Sequence, residues 1–427
     1  MIRQIFILIR ILLDRKITTV PLSVLKELRK KGIRRLPVDV DRKLNRGLPA
    51  LSSVRFLHSW LGSEMITRHN DQWVINSFTP PFPGASFNRA FENLRSGRRY
   101  NPISCFVALT KDCSYDCWHC SVQTRRNGNL STKEWLSAIG ELNNIGLSII
   151  GFTGGEPLSR EDLPEIIRAA SNGGASTILF TSGAGLDARK AAQLKDAGLW
   201  AICISLDTPD KDLYNKMRGS ESAFDNAVKA VQLSKEANLY TMIGAVATRE
   251  FVEKKTYLPL YDYIRSLGVQ ELRIVEPMPC GKLKADSQDH LLTEEHTKTI
   301  RDFHRNVNRK GKLPKVCAFN QIESPEVFGC SGGIQHLYID TAGEVCPCDF
   351  TPLSFGNVTQ ENLSSIIDRM SEALGGPRCD CMLQKHHTLF SSYYDQGYPL
   401  PVETSLEICK KLPQEALPGY YKMVSGR

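Results

Sequence analysis

The sequence predicts an α/β fold built on a parallel sheet, and three observations predict it. Between Ile103 and Glu276 short apolar runs alternate with helical stretches six times, the pattern of strand-helix units joined by right-handed crossovers. The helical stretches carry start and stop signals, among them Ser131-Thr-Lys-Glu134 and the glycines at 146, 198 and 268. The polar motifs fall just after strands, at the sheet edge where parallel α/β folds build their sites. Six units are fewer than the eight that close a barrel.

Taken in order, the strands are expected at Ile103 to Leu109, Ser148 to Thr153, Thr177 to Thr181, Ala201 to Leu206, Tyr240 to Ala247 and Glu271 to Glu276. Helices fit between them, for example from Ser131 to before Gly146, Ala188 to Lys195, Ala223 to Glu236 and Lys254 to Ser266. Upstream, Gln72 to Ile75 reads as a strand, Thr79 to Gly84 as a Pro-rich loop and Phe87 to Leu94 as a helix. Region 50–100 is expected to cover one edge or the mouth of the main domain. With 427 residues, 41% of them hydrophobic, the chain has material for two or three domains. The divisions expected are 1–100, a basic amphipathic extension; 101–290, the partial barrel; 291–385, a small cysteine-rich domain; and 386–427, a tail.

Charge is local. The net charge is +8, but residues 1–48 hold 13 Lys/Arg and 4 Asp/Glu, so they carry +9 and the remainder −1. This gives no general reason to expect nucleic acid as a partner. Ile2 to Leu13 form an amphipathic face, too short and too interrupted by Arg10 to span a bilayer. Such a helix either packs on the protein or lies in an anionic membrane interface, making peripheral membrane contact an open expectation. The 13 cysteines come without a recognisable secretory segment, which fits reduced, metal-binding thiols in a cytoplasm better than a disulfide framework.

Chemistry concentrates in Cys113-Ser-Tyr-Asp-Cys117-Trp-His-Cys120. A 4Fe-4S cluster takes four thiolates, so three on one loop leave an iron free to bind another molecule. Zinc is the alternative, because C-x2-C is also a zinc half-site, but it requires a second ligand pair. His386, His387 and Cys409 lie in the tail and read as surface or packing residues.

The C-x3-C-x2-C run after the first strand, with Gly154-Gly-Glu156-Pro-Leu158 after the second, closely resembles the radical S-adenosylmethionine (radical SAM) superfamily. The resemblance implies an open, three-quarter (β/α)6 barrel of the TIM type. It implies that Cys113, Cys117 and Cys120 hold a 4Fe-4S cluster whose open iron chelates S-adenosylmethionine, and that reductive cleavage yields a 5'-deoxyadenosyl radical that abstracts hydrogen. It assigns Gly154, Gly155 and Glu156 to the methionine amino group, Ser205 to the ribose and sulfonium side, and Arg218 to the carboxylate. Thr181-Ser182-Gly183 stands where relatives often carry Thr-Asn-Gly. His119 falls where the backbone meets adenine, its side chain packing on the cluster. Asp207 is read either with Ser205 or as an N-cap.

Cys330, followed by C-x12-G-x4-C spacing to Cys348, resembles the SPASM and shorter twitch extensions of that superfamily. The resemblance implies one auxiliary 4Fe-4S cluster on Cys330, Cys348, Cys379 and Cys381, with Cys317 and Cys346 as substitutes; structural zinc is the alternative. Asp349 follows its cysteine in the Cys-Asp-Phe order of anaerobic sulfatase-maturing enzymes, where that Asp takes a proton from substrate. The implied activity is that of a radical SAM oxidoreductase or maturase with an external donor such as a ferredoxin or flavodoxin. Its substrate is expected to be a peptide, a protein or a small molecule. A lipid or membrane-bound metabolite is the alternative substrate, and a non-catalytic iron-sulfur sensor the alternative from another class.

Overall fold

The computed structural model describes residue 56 and residues 59–96, 102–284 and 290–425. The basic segment 1–48, including the helix expected from Ile2 to Leu13, lies outside the described residues.

Six parallel strands form in chain order: β3 (Ser104–Ala108), β4 (Ile149–Thr153), β5 (Ser176–Thr181), β6 (Ala201–Ser205), β7 (Tyr240–Val246) and β8 (Glu271–Val275). Each falls within one residue of its expected ends. They are apolar, β-branched and buried on both faces, as a parallel sheet covered by helices requires. The helix Thr132–Asn144 begins at a reciprocal capping box, in which Ser131 Oγ accepts from the Glu134 N–H and the Glu134 carboxylate accepts from the Ser131 N–H at 2.8 Å.

The helix expected from Lys254 to Ser266 runs from Tyr257 to Leu267, starting three residues later, and a short helix not expected, Arg249–Glu253, precedes it, the two separated at Lys255, whose φ is 54°. The physical reason is Pro259. In a continuous helix its ring would clash with the Lys255 carbonyl, whereas in the first turn of a new helix it is tolerated.

The sheet does not stop at six strands. β9 (Lys315–Ala318) adds parallel to β8, and β10 (His336–Ile339) adds parallel to β3, with β11 (Val345–Cys346) antiparallel beyond it. The order is β11-β10-β3-β4-β5-β6-β7-β8-β9. Residues expected in a separate domain thus pair with both edges of the barrel sheet, satisfying backbone groups that an open barrel leaves unpaired.

The described part of region 50–100 seals the lower end of the barrel rather than its mouth alone. A hairpin of β1 (Thr67–His69) and β2 (Gln72–Val74) brings the fully buried Val74 against Ile149, Ile178, Ala201 and Tyr240, at the N-terminal ends of the strands. Lys315 Nζ fastens it, donating to the carbonyls of Val74 and Ile75 at 2.9 and 3.0 Å. The helix Ala85–Ser96 follows, over the stretch expected to be helical. None of the described helices is long and apolar enough to cross a membrane.

Candidate active site

β3 delivers the Cys113 loop to the upper edge of the sheet, and four neighbours hold it there. At its root, the Leu109 carbonyl accepts from Trp135 Nε1 at 3.2 Å and Arg160 Nη1 at 2.9 Å. From the β4 side, the Gly155 and Glu156 N–H groups donate to the carbonyls of Thr110 and Asp112, both at 2.7 Å. A Cβ on Gly154 or Gly155 would stand 2.4 or 2.3 Å from those same carbonyl oxygens, so the paired glycines are what let the two loops touch. From the β6 side, the Asp116 N–H donates to the Arg218 carbonyl at 3.0 Å. From the β8 exit, the Lys282 N–H donates to the Cys120 carbonyl at 3.0 Å, and its ammonium pairs with Asp116.

Held this way, Cys113 is exposed and Cys117 and Cys120 are half-buried, all three on the wall of one cavity. Burial, then the charges of Glu156 and the two sister thiols, push the Cys113 thiol up to about 11. Binding a metal would ionise it, the usual coupling at thiolate sites.

The residues assigned to the cosubstrate divide into two sets. Gly154, Gly155, Ser205 and Arg218 line the cavity, as do Thr181 and Ser182. Glu156 does not reach it. Its carboxylate is buried and fully engaged, accepting from Thr181 Oγ1 (2.7 Å), the Leu158 N–H (3.1 Å), the Ser182 N–H (2.9 Å) and Ser182 Oγ (2.5 Å). Burial pushes its carboxyl up and the hydroxyl donors pull it back. Glu156 therefore ties the β4 and β5 loops together, which corrects its expected contact with an ammonium group.

Arg218 is buried and ion-paired to Asp207, Nη2 to Oδ2 at 2.5 Å, with Nη1 3.5 Å from Cys117 Sγ. Asp207 also accepts the Val246 N–H at 2.9 Å, while the following helix, Lys211–Arg218, is capped by Asp210. Of the two readings of Asp207, the N-cap falls. His119 packs beside these groups. Burial first and Arg218 second lower its imidazole to about 4, keeping it neutral.

A second group of thiols faces the same cavity. Cys330, Cys348 and Cys381 line it, with Cys330 and Cys381 in side-chain contact and Cys348 close enough to Cys330 to feel its charge. Cys379 is the departure: its Sγ is turned to the Ala416 carbonyl at 3.0 Å, among Lys422, Asp380 and Glu415. The backbone bends at Cys379 and Asp380 before reaching Cys381, the N-cap residue of the turn Met382–Lys385, and so the two thiols part despite an i, i+2 spacing that would leave them on one face of an extended chain. The substitutes also lie elsewhere. Cys317 is buried in β9 near Glu271 and Glu64, and Cys346 sits in β11, 3.5 Å from Arg125 Nη1. Among the described residues no three Cys, His, Asp or Glu side chains are placed to hold a single ion.

Asp349 lies on the cavity wall beside Cys348, its Oδ1 3.5 Å from His336 Nε2, while His336 Nδ1 meets Ser104 Oγ at 2.9 Å. Sequence reading missed His336. The signal was a lone imidazole among apolar residues in His336-Leu-Tyr-Ile339, on the side of the strand that faces inward. Arg125 was missed too. Fully buried, it donates to the carbonyls of Asp349 (3.0 Å) and Thr351 (3.2 Å) and so anchors the Cys348 turn.

The two thiol groups share one cavity of about 1700 Å3. The wall is rich in aromatic side chains, Trp60, Phe78, Phe106, Phe180, Phe319 and Phe328, and carries polar ones that include Arg273, Glu276, Glu323, His336 and Asp349. A triad on a loop clasped from four sides, opening on a cavity, suits a 4Fe-4S cluster with a free iron site. The donor sets are all thiols, which suits iron-sulfur clusters better than hard cations.

A family model of the radical SAM superfamily matches residues 107–254, and a model of the SPASM iron-sulfur cluster-binding domain matches residues 330–382. The chain is 27% identical over 282 residues to an AdoMet-dependent heme synthase of Oleidesulfovibrio alaskensis, covering 60% of this chain and 72% of that one. It is 24% identical over 282 residues to the enzyme of the same name from Methanosarcina barkeri, covering 60% and 80%. Among solved structures, Streptococcus suis SuiB bound to precursor peptide SuiA superposes with a TM-score of 0.54 at 16% identity, over 84% of this chain and 81% of that one. The enzyme anSMEcpe with bound AdoMet gives 0.53 at 18% identity, over 73% and 96%. Identities this low show a shared fold.

Proposed function

We propose that this radical SAM enzyme, whose barrel is joined to a SPASM iron-sulfur domain, abstracts hydrogen from a bulky, largely apolar small molecule held between its two thiol groups. The observation that carries the reading is the single cavity lined both by Cys113, Cys117 and Cys120 and by Cys330, Cys348 and Cys381. Pockets of roughly 300–1,000 Å3 hold one drug-sized ligand, so about 1700 Å3 leaves room for the cosubstrate and a second large molecule. The curated relatives are named for making heme, itself a bulky and mostly apolar ring.

When bound, the first cluster and S-adenosylmethionine supply a 5'-deoxyadenosyl radical, chemistry beyond any side chain. Cys113, Cys117 and Cys120 would hold that cluster; Cys330, Cys348 and Cys381 would supply thiolates to the auxiliary one. Gly154, Gly155, Ser182, Ser205 and Arg218 form the wall facing the cosubstrate. Asp349, 3.5 Å from His336, would take a proton from the substrate. The aromatic wall offers an apolar surface for the body of such a substrate. Electrons would come from an external ferredoxin or flavodoxin.

A second reading, modification of a peptide, has one supporting observation: the fold is shared with SuiB, whose structure holds a precursor peptide.

The test is anaerobic reconstitution followed by assay of 5'-deoxyadenosine in the presence of dithionite, with and without candidate substrates. The wild type is expected to bind two clusters and cleave S-adenosylmethionine. The Cys113→Ala, Cys117→Ala, Cys120→Ala triple variant is expected to keep one cluster and form no 5'-deoxyadenosine; cleavage by that variant overturns the assignment. Deuterium transfer into 5'-deoxyadenosine from a labelled peptide, and none from apolar small molecules, replaces the first reading by the second.

A further inference from the structure

We infer that the substrate carries an acidic group, a carboxylate or a phosphate, and that Arg273 in the lumen of the barrel receives it; the inference rests on the reading that the cavity holds a bulky apolar molecule. Arg273 lies in the middle of β8 and points into the barrel, with Glu271 and Val275 on the same face of the strand. It is only 5% exposed and forms part of the cavity wall.

Its partners are few. Nη1 donates to Ser77 Oγ at 3.2 Å, a neutral acceptor, and among the described residues Arg273 has no ion pair with a carboxylate. The nearest acid along the strand is already committed, for Glu271 accepts the Ser77 N–H at 3.1 Å and the Tyr240 hydroxyl at 3.0 Å. The other buried arginines are better served. Arg218 is paired with Asp207, Arg125 has Asp340 at 3.9 Å and two carbonyls, and Arg378 donates to the carbonyls of Pro413 and Leu374.

What surrounds Arg273 is aromatic. Its guanidinium carbon lies 4.0 Å from the ring centre of Phe78, 5.3 Å from Phe180 and 5.8 Å from Phe106. The bland reading is that this box satisfies the cation. Cation–π contacts return only part of what removing a full charge from water costs, and rings offer no lone pairs to the N–H donors that remain beyond the bond to Ser77. A flat fork of donors fixed by packed rings, with its edge on a cavity, is the geometry that takes a carboxylate or phosphate bidentately. The same rings then contact the apolar body of the molecule whose acid Arg273 holds.

The test is calorimetric titration of the reconstituted holoenzyme, with S-adenosylmethionine present, using three probes of equal chain length: dodecanoate, dodecyl phosphate and dodecanol. At least one of the two acids is expected to bind about 10-fold or more tightly than the alcohol, and the preferred acid tells carboxylate from phosphate. Arg273→Gln is expected to erase that preference and leave alcohol binding unchanged, and Arg273→Lys, which keeps the charge, to retain part of it. Equal binding of all three probes, or an acid preference that survives in Arg273→Gln, overturns the role of Arg273 while the apolar cavity reading stands. Binding of none of the three overturns both. Thermal unfolding of each variant separates loss of binding from loss of fold.

Discussion

His336 Nε2 stands 3.5 Å from Asp349 Oδ1 on the wall of the cavity, and its other ring nitrogen is held by Ser104 Oγ at 2.9 Å. A strand of the barrel, a strand that pairs with it late in the chain, and a cysteine-bearing turn thus converge on one carboxylate. If Asp349 accepts the substrate proton, Asp349→Asn removes the acceptor and leaves the cosubstrate wall untouched. Product formation is expected to fall by about 10²- to 10⁴-fold, with 5'-deoxyadenosine still formed. Quantifying both products in one assay checks this; a parallel loss of both would make Asp349 a structural residue.

Cys379 and Cys381 are two residues apart and face different surroundings. Cys381→Ala is expected to lose the auxiliary cluster, and Cys379→Ala to retain it. Iron and sulfide content with Mössbauer spectra of the two variants distinguishes them. Loss of the cluster from both would show that Cys379 swings in to complete a four-thiol site.

The Arg218–Asp207 pair is buried, with side chains 6% and 2% exposed. Asp207→Ala leaves a buried cation without its partner, and breaking such a pair costs about 3–5 kcal/mol. Denaturant unfolding is expected to register that loss, while a double Arg218→Met, Asp207→Leu variant recovers part of it. Because the Arg218 carbonyl also accepts the Asp116 N–H of the Cys113 loop, Asp207→Ala is expected to reduce cluster occupancy too.

Asp162 accepts from Arg160 Nε (2.8 Å), Arg160 Nη2 (2.6 Å) and Thr132 Oγ1 (2.6 Å), while Arg160 Nη1 grips the Leu109 carbonyl at the root of the cysteine loop. Hydrogen bonding to Arg160 holds the Asp162 carboxyl below its ordinary value of 3.8. The sign follows from linkage: with the folded value depressed, the stabilisation is present above pH 3.8 and is lost as pH falls through the folded value. Asp162→Asn is expected to lower the unfolding temperature at pH 7, and the gap to wild type to narrow as the medium is acidified below 3.8. A pH-independent gap would mean that packing, not ionisation, carries the clamp.

Much of this was legible in the chain. Apolar runs of five to seven residues between capped helices have little choice but to be buried parallel strands, so all six were placed within one residue of their ends. The cysteine spacing and Gly154-Gly155 are local features, and local chemistry survives in a linear text. Even there the reason changed: the glycines serve contact between two loops, with Glu156 behind them as a tie.

What the sequence by itself determined was the parallel sheet, the three-thiol loop at its upper edge and the presence of a second cysteine group. Only the tertiary structure decided which thiols meet, because Cys330 and Cys381 come together beside the Cys330–Arg378 bridge, and the pairing of β10 with β3 across more than two hundred residues brings them to the barrel's cavity. It alone decided that Arg273 stands in an aromatic box with no carboxylate partner among the described residues and that His336 reaches Asp349. Periodicity reports which face of a strand is buried; it carries no information on what lies opposite that face, and opposition across the lumen is what makes a site.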